Sequence, residues 1–118
     1  MMIPNPKPAW WPDGAEVEDH TVAVSHLVPP LIRFLQDAAL VYAQRFAKPL
    51  VITSGNDGKH APGSKHFAWK AVDLRSRELS MAEQQDFAHW LSDVQGSYPL
   101  GVFDERFIGP PHWHVEVA

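Results

Sequence analysis

Two stretches of the chain carry hydrophobic residues at the three- and four-residue spacing of an amphipathic helix. The first runs from Pro30 to Phe46, with proline in the first turn, where a helix tolerates it. The second follows Ser80, and Glu83 three residues later completes the pattern of a capping box. Gly96 can end this second helix. The pattern therefore predicts two helices, each with one apolar face.

Shorter stretches predict four strands, and in the second and fourth of them apolar and polar residues alternate with the two-residue period of a sheet. They are KPLVITSG at residues 48–55, WKAVDLRS at 69–76, PLGVFDE at 99–105 and HWHVEVA at 112–118. The order helix, strand, strand, helix, strand, strand predicts an α+β fold, a small antiparallel sheet with helices on one face. NDGKHAPGS, between the first two strands, is a loop by composition.

The N-terminal segment, residues 1–26, differs in composition from the rest of the chain. Four of the 11 prolines lie in the first 12 residues, and proline fixes φ and removes a backbone donor. We therefore expect an extended, proline-rich segment that packs on a folded domain formed by residues 27–118. Trp10 and Trp11 are its candidate anchors.

Composition narrows the classes of function. The 118 residues suffice for one domain with a single core, and a hydrophobic fraction of 45% is ordinary for such a domain. The formal net charge of -4 disfavours nucleic-acid binding, which needs a basic surface. The absence of cysteine excludes disulfides and thiolate chemistry. The N-terminus lacks the pattern of a secretory signal, and no apolar segment approaches the roughly 18 residues of a membrane span.

The alternation of the strands places candidate ligands on one face of the sheet. In AVDLR, Asp73 lies on the face opposite its two apolar neighbours. In HWHVEV, three polar residues, His112, His114 and Glu116, lie on the face opposite the tryptophan and valines. Both strands are therefore expected to have a core side and a side of potential ligands.

Three residues could hold a catalytic metal. His66, Asp73 and His114 supply two imidazoles and one carboxylate, and catalytic zinc takes three such ligands and keeps a fourth position for water. Polar groups near them in the sequence, among them His112 and Glu105, could act as general base or orient the ligands.

An ordinary structural role is an equal alternative at this point. Most histidines bind no metal, and a His-x-His pair on a strand is weakly specific. A buried carboxylate needs a partner, and for Asp73 a salt bridge to Arg75 or Arg77 would supply one.

The order of these residues resembles a known family. TSGNDGKHAPGSKHFAWKAVDLRS looks like the core of the D-Ala-D-Ala carboxypeptidase and L-alanyl-D-glutamate endopeptidase family of zinc peptidases. The family pattern is Ser-x-His-x-x-Gly-x-Ala-x-Asp, and Ser64, His66, Ala71 and Asp73 match it. The later HWH is similar to the His-x-His of a wider group that includes lysostaphin-type enzymes and the hedgehog signalling domain. The resemblance covers roughly residues 27–118.

The resemblance implies a site with assigned roles. One zinc ion would be bound by His66, Asp73 and His114, the last being the second histidine of the pair. His112, the first of the pair, would be catalytic. Glu105 would be the general base, since hedgehog-type domains draw a glutamate from a comparable strand-to-turn position.

The chain departs from the family pattern at two positions. Trp69 stands where the family usually has glycine, and its indole could form a wall of the groove. Pro111 stands where several carboxypeptidases have a glutamate, so the base has to come from elsewhere, and Asp104 rivals the neighbouring glutamate. The remaining candidate substrate-binding residues are Ser64, Asp57 and Lys59, for which turn formation or loop solvation is the alternative.

The function implied is a zinc-dependent peptidoglycan peptidase that acts on a stem-peptide amide bond. We expect a monomeric L-Ala–D-Glu endopeptidase of the phage or prophage endolysin type. Such an enzyme would be made in the cytoplasm and would reach the wall after release or as a virion component. The alternatives are a D-Ala-D-Ala carboxypeptidase and a non-catalytic, zinc-stabilised binding module.

Overall fold

Two helices and five strands build an α+β fold, as predicted, in a computed structural model that describes residues 2–57, 63–107 and 109–118. In chain order they are β1 (Ala15–Val17), α1 (Pro29–Val41), β2 (Leu50–Ser54), β3 (Ala71–Arg75), α2 (Met81–Val94), β4 (Leu100–Glu105) and β5 (His112–Val117). In this described part of the chain, neither helix is long and apolar enough to cross a membrane.

The sheet is mixed and not wholly antiparallel. Its strand order is β1-β2-β3-β5-β4, and the four predicted strands pair antiparallel with one another. The added strand, β1, pairs parallel with β2 and lies within the segment predicted to be extended only. A three-residue strand is too short to show a period, so alternation could not reveal it.

The N-terminal segment belongs to the same core as the rest of the chain. Besides β1 it contributes Trp11, Val22 and Val24, all buried. Trp11 donates its indole N–H to the carbonyl of Ala15 at 3.1 Å. Of the two predicted anchors, Trp11 is buried and Trp10 packs against the core in part.

Both helices begin as their sequences predict. Prolines occupy the first turn of α1, and Ser80 and Glu83 form both hydrogen bonds of the capping box of α2. The first helix continues as one π-helical turn, Tyr42–Phe46, so its predicted end is confirmed. Gly96 does not cap the second helix in a left-handed conformation, because α2 passes into a 3-10 turn, Gln95–Ser97, that contains it.

The core lies between the helices and one face of the sheet. Phe87 of α2 meets the ring of Trp113 of β5 with centroids 5.0 Å apart. Both helices and the strands β3 and β5 contribute fully buried residues to this layer, among them Leu31, Phe34, Leu35, Phe87, Val72, Leu74, Trp113 and Val115. Each such large apolar side chain contributes about 1.5–3 kcal/mol by leaving water. The predicted core side of β3 and β5 is therefore confirmed, and their other face is left for polar residues.

The pairing of the strands places the candidate residues side by side on the polar face of the sheet. Asp73 is the direct partner of His114 across β3 and β5. On the next strand, Phe103 and Glu105 of β4 lie opposite His114 and His112. In β2 the register shifts between Ile52 and Ser54, a β-bulge next to Asp73. Bulges are common beside functional sites, where they redirect a strand.

Candidate metal centre

Three side chains converge from three separate elements, as predicted. His66 lies in a 3-10 turn, Lys65–Ala68, while Asp73 and His114 lie on β3 and β5. The Nε2 atom of His66 is 3.2 Å from Nδ1 of His114 and 3.4 Å from Oδ1 of Asp73. The third side of the triangle, from Nδ1 of His114 to Oδ1 of Asp73, is 3.0 Å. The group could therefore hold a metal ion.

The size of this triangle suits a small tetrahedral ion. Nitrogen and oxygen ligands lie about 2.0–2.2 Å from zinc, which puts neighbouring ligand atoms of a tetrahedron about 3.3 Å apart. The observed sides scatter around that value. The His66 ring is buried, and the side chains of Asp73 and His114 are only 14% and 16% exposed.

Hydrogen bonds on the outer sides of the rings decide which atoms point inward with lone pairs. Nδ1 of His66 lies 2.7 Å from the carbonyl oxygen of Gly55. A carbonyl only accepts, so Nδ1 carries the proton. Nε2 of His114 lies 2.8 Å from a carboxylate oxygen of Glu116, which fixes its proton there in the same way. The neutral rings thus turn Nε2 of His66 and Nδ1 of His114 toward Asp73.

Three acceptor atoms facing one another within 3.4 Å need a cation or a shared proton between them. Outer hydrogen bonds of this kind, from imidazole to a carbonyl or carboxylate, are typical of histidines that bind metals. Glu116 is itself held by Lys65, whose Nζ lies 3.1 Å from the second carboxylate oxygen. This arrangement is one that could hold a cation.

Electrostatics of the site favours a charged carboxylate. Burial acts to raise the pKa of Asp73, but hydrogen bonds from His114 and His66 outweigh it and hold that pKa far below its usual range. Burial acts to lower the pKa of His114, but its bonds with Asp73 and Glu116 outweigh burial and raise it. Both shifts favour the charged form of the group, so a proton on His114 would compete with a metal ion for this site.

The turn that carries His66 is capped at both ends. Ser64 accepts the backbone N–H of His66 at 3.2 Å, so its hydroxyl serves as the N-cap. Trp69 closes the turn in the left-handed conformation, with φ of 59°. A bulky residue rarely adopts positive φ, which gives a physical reason for glycine at this place in the family pattern.

Contacts of the indole and backbone hold Trp69 in this conformation. Its ring packs edge-on against His26 with centroids 5.1 Å apart, and its carbonyl accepts the N–H of Val28. The ring is partly buried against the core. Its described contacts are therefore with His26 and the core, and none of them is with the three candidate ligands.

Gly55 has no room for a side chain. A Cβ on Gly55 would lie 2.0 Å from the carbonyl oxygen of Ala23. The same glycine supplies the carbonyl that orients His66. Asp57 secures this place, because one of its oxygens accepts the N–H groups of Ala23 and Gly55, each at 2.8 Å. The described contacts of Asp57 are thus with backbone, and Lys59 lies outside the described residues.

His112 stands beside the triangle and outside it. Its Nδ1 lies 2.7 Å from the carbonyl of Pro110, so this nitrogen carries a proton. Its Nε2 faces the site, 3.5 Å from Oε1 of Glu105 and 3.8 Å from Oδ1 of Asp73. The side chain can therefore exchange a proton at Nε2 while the bond to Pro110 holds the ring.

Glu105 is better placed than its rival to act with this histidine. Asp104 points the other way and pairs with Arg106 through both carboxylate oxygens, at 2.6 and 2.8 Å. Glu105 lies directly opposite His112 in the register of β4 and β5. Its carboxylate is partly exposed to solvent and lies on the face of the candidate ligands.

The predicted structural alternative for Asp73 is wrong. Within the described ranges, the side chains that pair with Asp73 are His66, His112 and His114. Arg75 pairs instead with Glu78 and, at 3.5 Å, with Glu18. This choice of partner depends on which strand lies alongside, and sequence spacing does not show it.

Sequence reasoning missed the groups that orient the ligands from outside. The carbonyl of Gly55 and the ammonium of Lys65 had no assigned role, although Glu116 was among the polar groups expected nearby. Phe103, half exposed on β4 with its ring centroid 5.7 Å from that of His114, was also missed. The pairing register would have revealed it, because Phe103 lies opposite His114.

Comparison with protein families, with curated proteins and with solved structures found no match to the chain. The resemblance to zinc peptidases therefore stays a prediction from the motif residues of the sequence.

Proposed function

We propose that the chain is a zinc-dependent peptidase that hydrolyses an amide bond in the stem peptides of peptidoglycan. The observation that carries this proposal is the triangle of His66, Asp73 and His114, whose inward atoms are all acceptors. The motif order supports the substrate class, because it resembles that of peptidases acting on such peptides.

Zinc is the ion that this donor set favours. Two imidazole nitrogens and one carboxylate oxygen form a common catalytic zinc set, and a tetrahedral ion leaves one position for water or substrate. Oxygen-preferring ions such as Mg²⁺ and Ca²⁺ take more oxygen ligands than the described part of the site offers. We therefore assign one zinc ion per chain.

The residues around the ion would divide the chemistry. Zinc in such a site acidifies water and polarises the carbonyl of an amide. Glu105 is the general base that accepts a proton from the attacking water. His112 keeps Nε2 toward the site through its bond to Pro110, and stabilises the developing oxyanion or passes a proton to the leaving amine.

The site has an accessible side. A cavity of about 240 Å³ opens beside Asp73 and His112, with Pro110 and Pro111 forming part of its wall. Phe103 adds an exposed apolar surface next to His114.

We assign the bond between L-Ala and D-Glu as the one cut. The protein acts as a monomer, on the wall after release or as part of a virion.

Digestion of purified cell wall by the zinc-loaded protein tests this proposal. We expect release of new amino groups, with mass spectrometry placing the cut between L-Ala and D-Glu. Glu105→Gln should abolish release, while His89→Ala, on the exposed surface of α2, should not change it. Release of free D-Ala alone would make the protein a carboxypeptidase. No release from walls of several chemotypes would favour the binding module.

A further inference from the structure

The cavity beside the candidate metal centre has an asymmetric lining. Asp73 and His112 of this lining belong to the centre or stand beside it. The lining also includes two arginines and two other polar residues, Arg75, Arg77, Glu18 and Thr53. At about 240 Å³ it is smaller than the roughly 300–1,000 Å³ of pockets for whole small ligands. It suits one residue of a peptide whose neighbouring bond lies at the centre.

The two arginines of this cavity differ in how they are held. The side chain of Arg75 is 20% exposed and is fixed by Glu78 and Glu18. The side chain of Arg77 is 64% exposed, and its described ionic contact is a loose one of 3.8 Å to Glu78. A guanidinium carries five N–H donors in a planar fork, so Arg77 retains donors for a ligand.

We infer that this cavity is a subsite for a carboxylate on the substrate residue next to the bond at the metal centre, with Arg77 as its contact. The inference rests on the proposed function and names a substrate feature that it selects. A planar guanidinium matches a carboxylate with two parallel hydrogen bonds. Arg75 adds a fixed positive charge, and Thr53 adds a hydroxyl to the lining.

Charge in the cavity argues against an ammonium at this position. Besides Asp73, the acidic residue of the lining is Glu18, which already lies 3.5 Å from Arg75. The charge of Asp73 is directed to the centre, where His66 and His114 meet it. An ammonium would therefore lie among guanidinium groups with no unpaired carboxylate to receive it.

Two parts of a stem peptide could supply this carboxylate. One is the free α-carboxylate of a D-Glu that is linked onward through its side chain, and this residue directly follows the L-Ala–D-Glu bond. The other is the terminal carboxylate of a D-Ala-D-Ala end. For each there is a control ligand of nearly equal shape, in which an amide replaces the carboxylate and removes the charge.

Calorimetric titration of the zinc-loaded Glu105→Gln protein, in which turnover is blocked, separates these sources. The ligands are L-Ala-γ-D-Glu-L-Lys, its D-isoglutamine analogue, diacetyl-L-Lys-D-Ala-D-Ala and the C-terminal amide of the last. We expect the carboxylate form of one pair to bind about threefold to tenfold more tightly than its amide, a range set by the partial exposure of Arg77. The pair that shows the preference identifies the source.

Adding Arg77→Gln should bring that ratio to about one and leave the zinc content unchanged. The matched control is Arg45→Gln. It removes a surface arginine that pairs with Asp86 and does not line the cavity, so the preference should be kept. No preference in either pair, no binding of any ligand, or a preference that survives Arg77→Gln would overturn the subsite. A preference without any wall cleavage by the wild type would keep the subsite and refute the proposed peptidase. Wall cleavage by the wild type without a preference would support the proposed peptidase and refute the subsite.

Discussion

Asp73 and His114 face each other directly across β3 and β5, with 3.0 Å between Oδ1 and Nδ1. Direct partners in an antiparallel pair have Cβ atoms about 4.5–5.5 Å apart, so two side chains on the same face can meet on one ion. The sheet thus places two of the three candidate ligands on a rigid support. The third, His66, arrives from a capped turn and completes the triangle.

Glu116 is predicted to act on the metal through His114. Glu116→Ala should weaken zinc binding about 10- to 100-fold, because the ring of His114 loses the acceptor that sets its orientation and proton position. Glu116→Gln should lose less, since its amide oxygen still accepts from Nε2. Competition with a zinc chelator measures the affinity. Equal losses in the two variants would show that charge, and not orientation, is what Glu116 supplies.

His112 is predicted to be catalytic and not a ligand. His112→Ala should keep full zinc content and lower turnover about 10²- to 10⁴-fold, the usual range for a positioned acid or base. The physical reason is its position, with Nε2 3.8 Å from the ligand oxygen of Asp73 and 3.5 Å from Glu105. Metal analysis together with kinetics checks both parts, with His89→Ala as the control histidine. Loss of zinc that excess zinc restores along with activity would make His112 a ligand.

The stabilising effect of zinc is predicted to grow with pH. In the metal-free protein the hydrogen bonds with Asp73 and Glu116 outweigh burial and raise the pKa of His114. Protonated His114 therefore stabilises the metal-free fold below the unfolded value of about 6.5, and this contribution is lost as pH rises through the folded pKa. The lowered pKa of Asp73, in which its histidine hydrogen bonds outweigh burial, has the opposite sign. That contribution is present above about 3.9 and is lost as pH falls through the folded value.

Thermal melts with and without excess zinc test this dependence. At a zinc concentration 100 times its Kd the ion adds about 2.7 kcal/mol to the free energy of unfolding. For a domain of this size that corresponds to a rise in Tm of roughly 10 °C. We expect a rise of this order at pH 8 and a much smaller one at pH 5, where zinc competes with the proton on His114. A rise independent of pH would mean that the ion binds elsewhere.

Trp69 is predicted to tolerate glycine better than alanine. Both variants lose the packing of the indole against His26, but glycine also removes the cost of a Cβ at φ of 59°. Trp69→Gly should therefore be more stable than Trp69→Ala by about 1 kcal/mol. Chemical denaturation measures the difference. A less stable Trp69→Gly would show that the left-handed conformation carries no strain here.

The elements of the fold that could be predicted are those long enough to show a hydrophobic pattern in the sequence. The helices show apolar stripes over several turns, and the four longer strands are stretches of five or six residues. Alternation in β3 and β5 placed Asp73 and His114 on one face. The short strand β1 gives no such signal, because it is defined by its partner Leu50–Ser54 and not by its own three residues.

The convergence of His66, Asp73 and His114 could be predicted, but the groups that support these side chains could not. Ligand types and strand faces are properties of the sequence, whereas the carbonyl of Gly55 and the ammonium of Lys65 reach the ligands only in the folded chain. The partners of Arg75 likewise come close to it only in the folded chain. They come from the loop after β3 and from the segment after β1, whereas the sequence left a salt bridge to Asp73 as an equal alternative.

The most direct test of the metal centre is diffraction from crystals of the zinc-loaded protein, measured on both sides of the zinc absorption edge. We expect one anomalous peak per chain, about 2.0–2.2 Å from Nε2 of His66, Oδ1 of Asp73 and Nδ1 of His114. A zinc-loaded crystal with no peak among these three atoms, or with its zinc bound to other residues, would contradict the account.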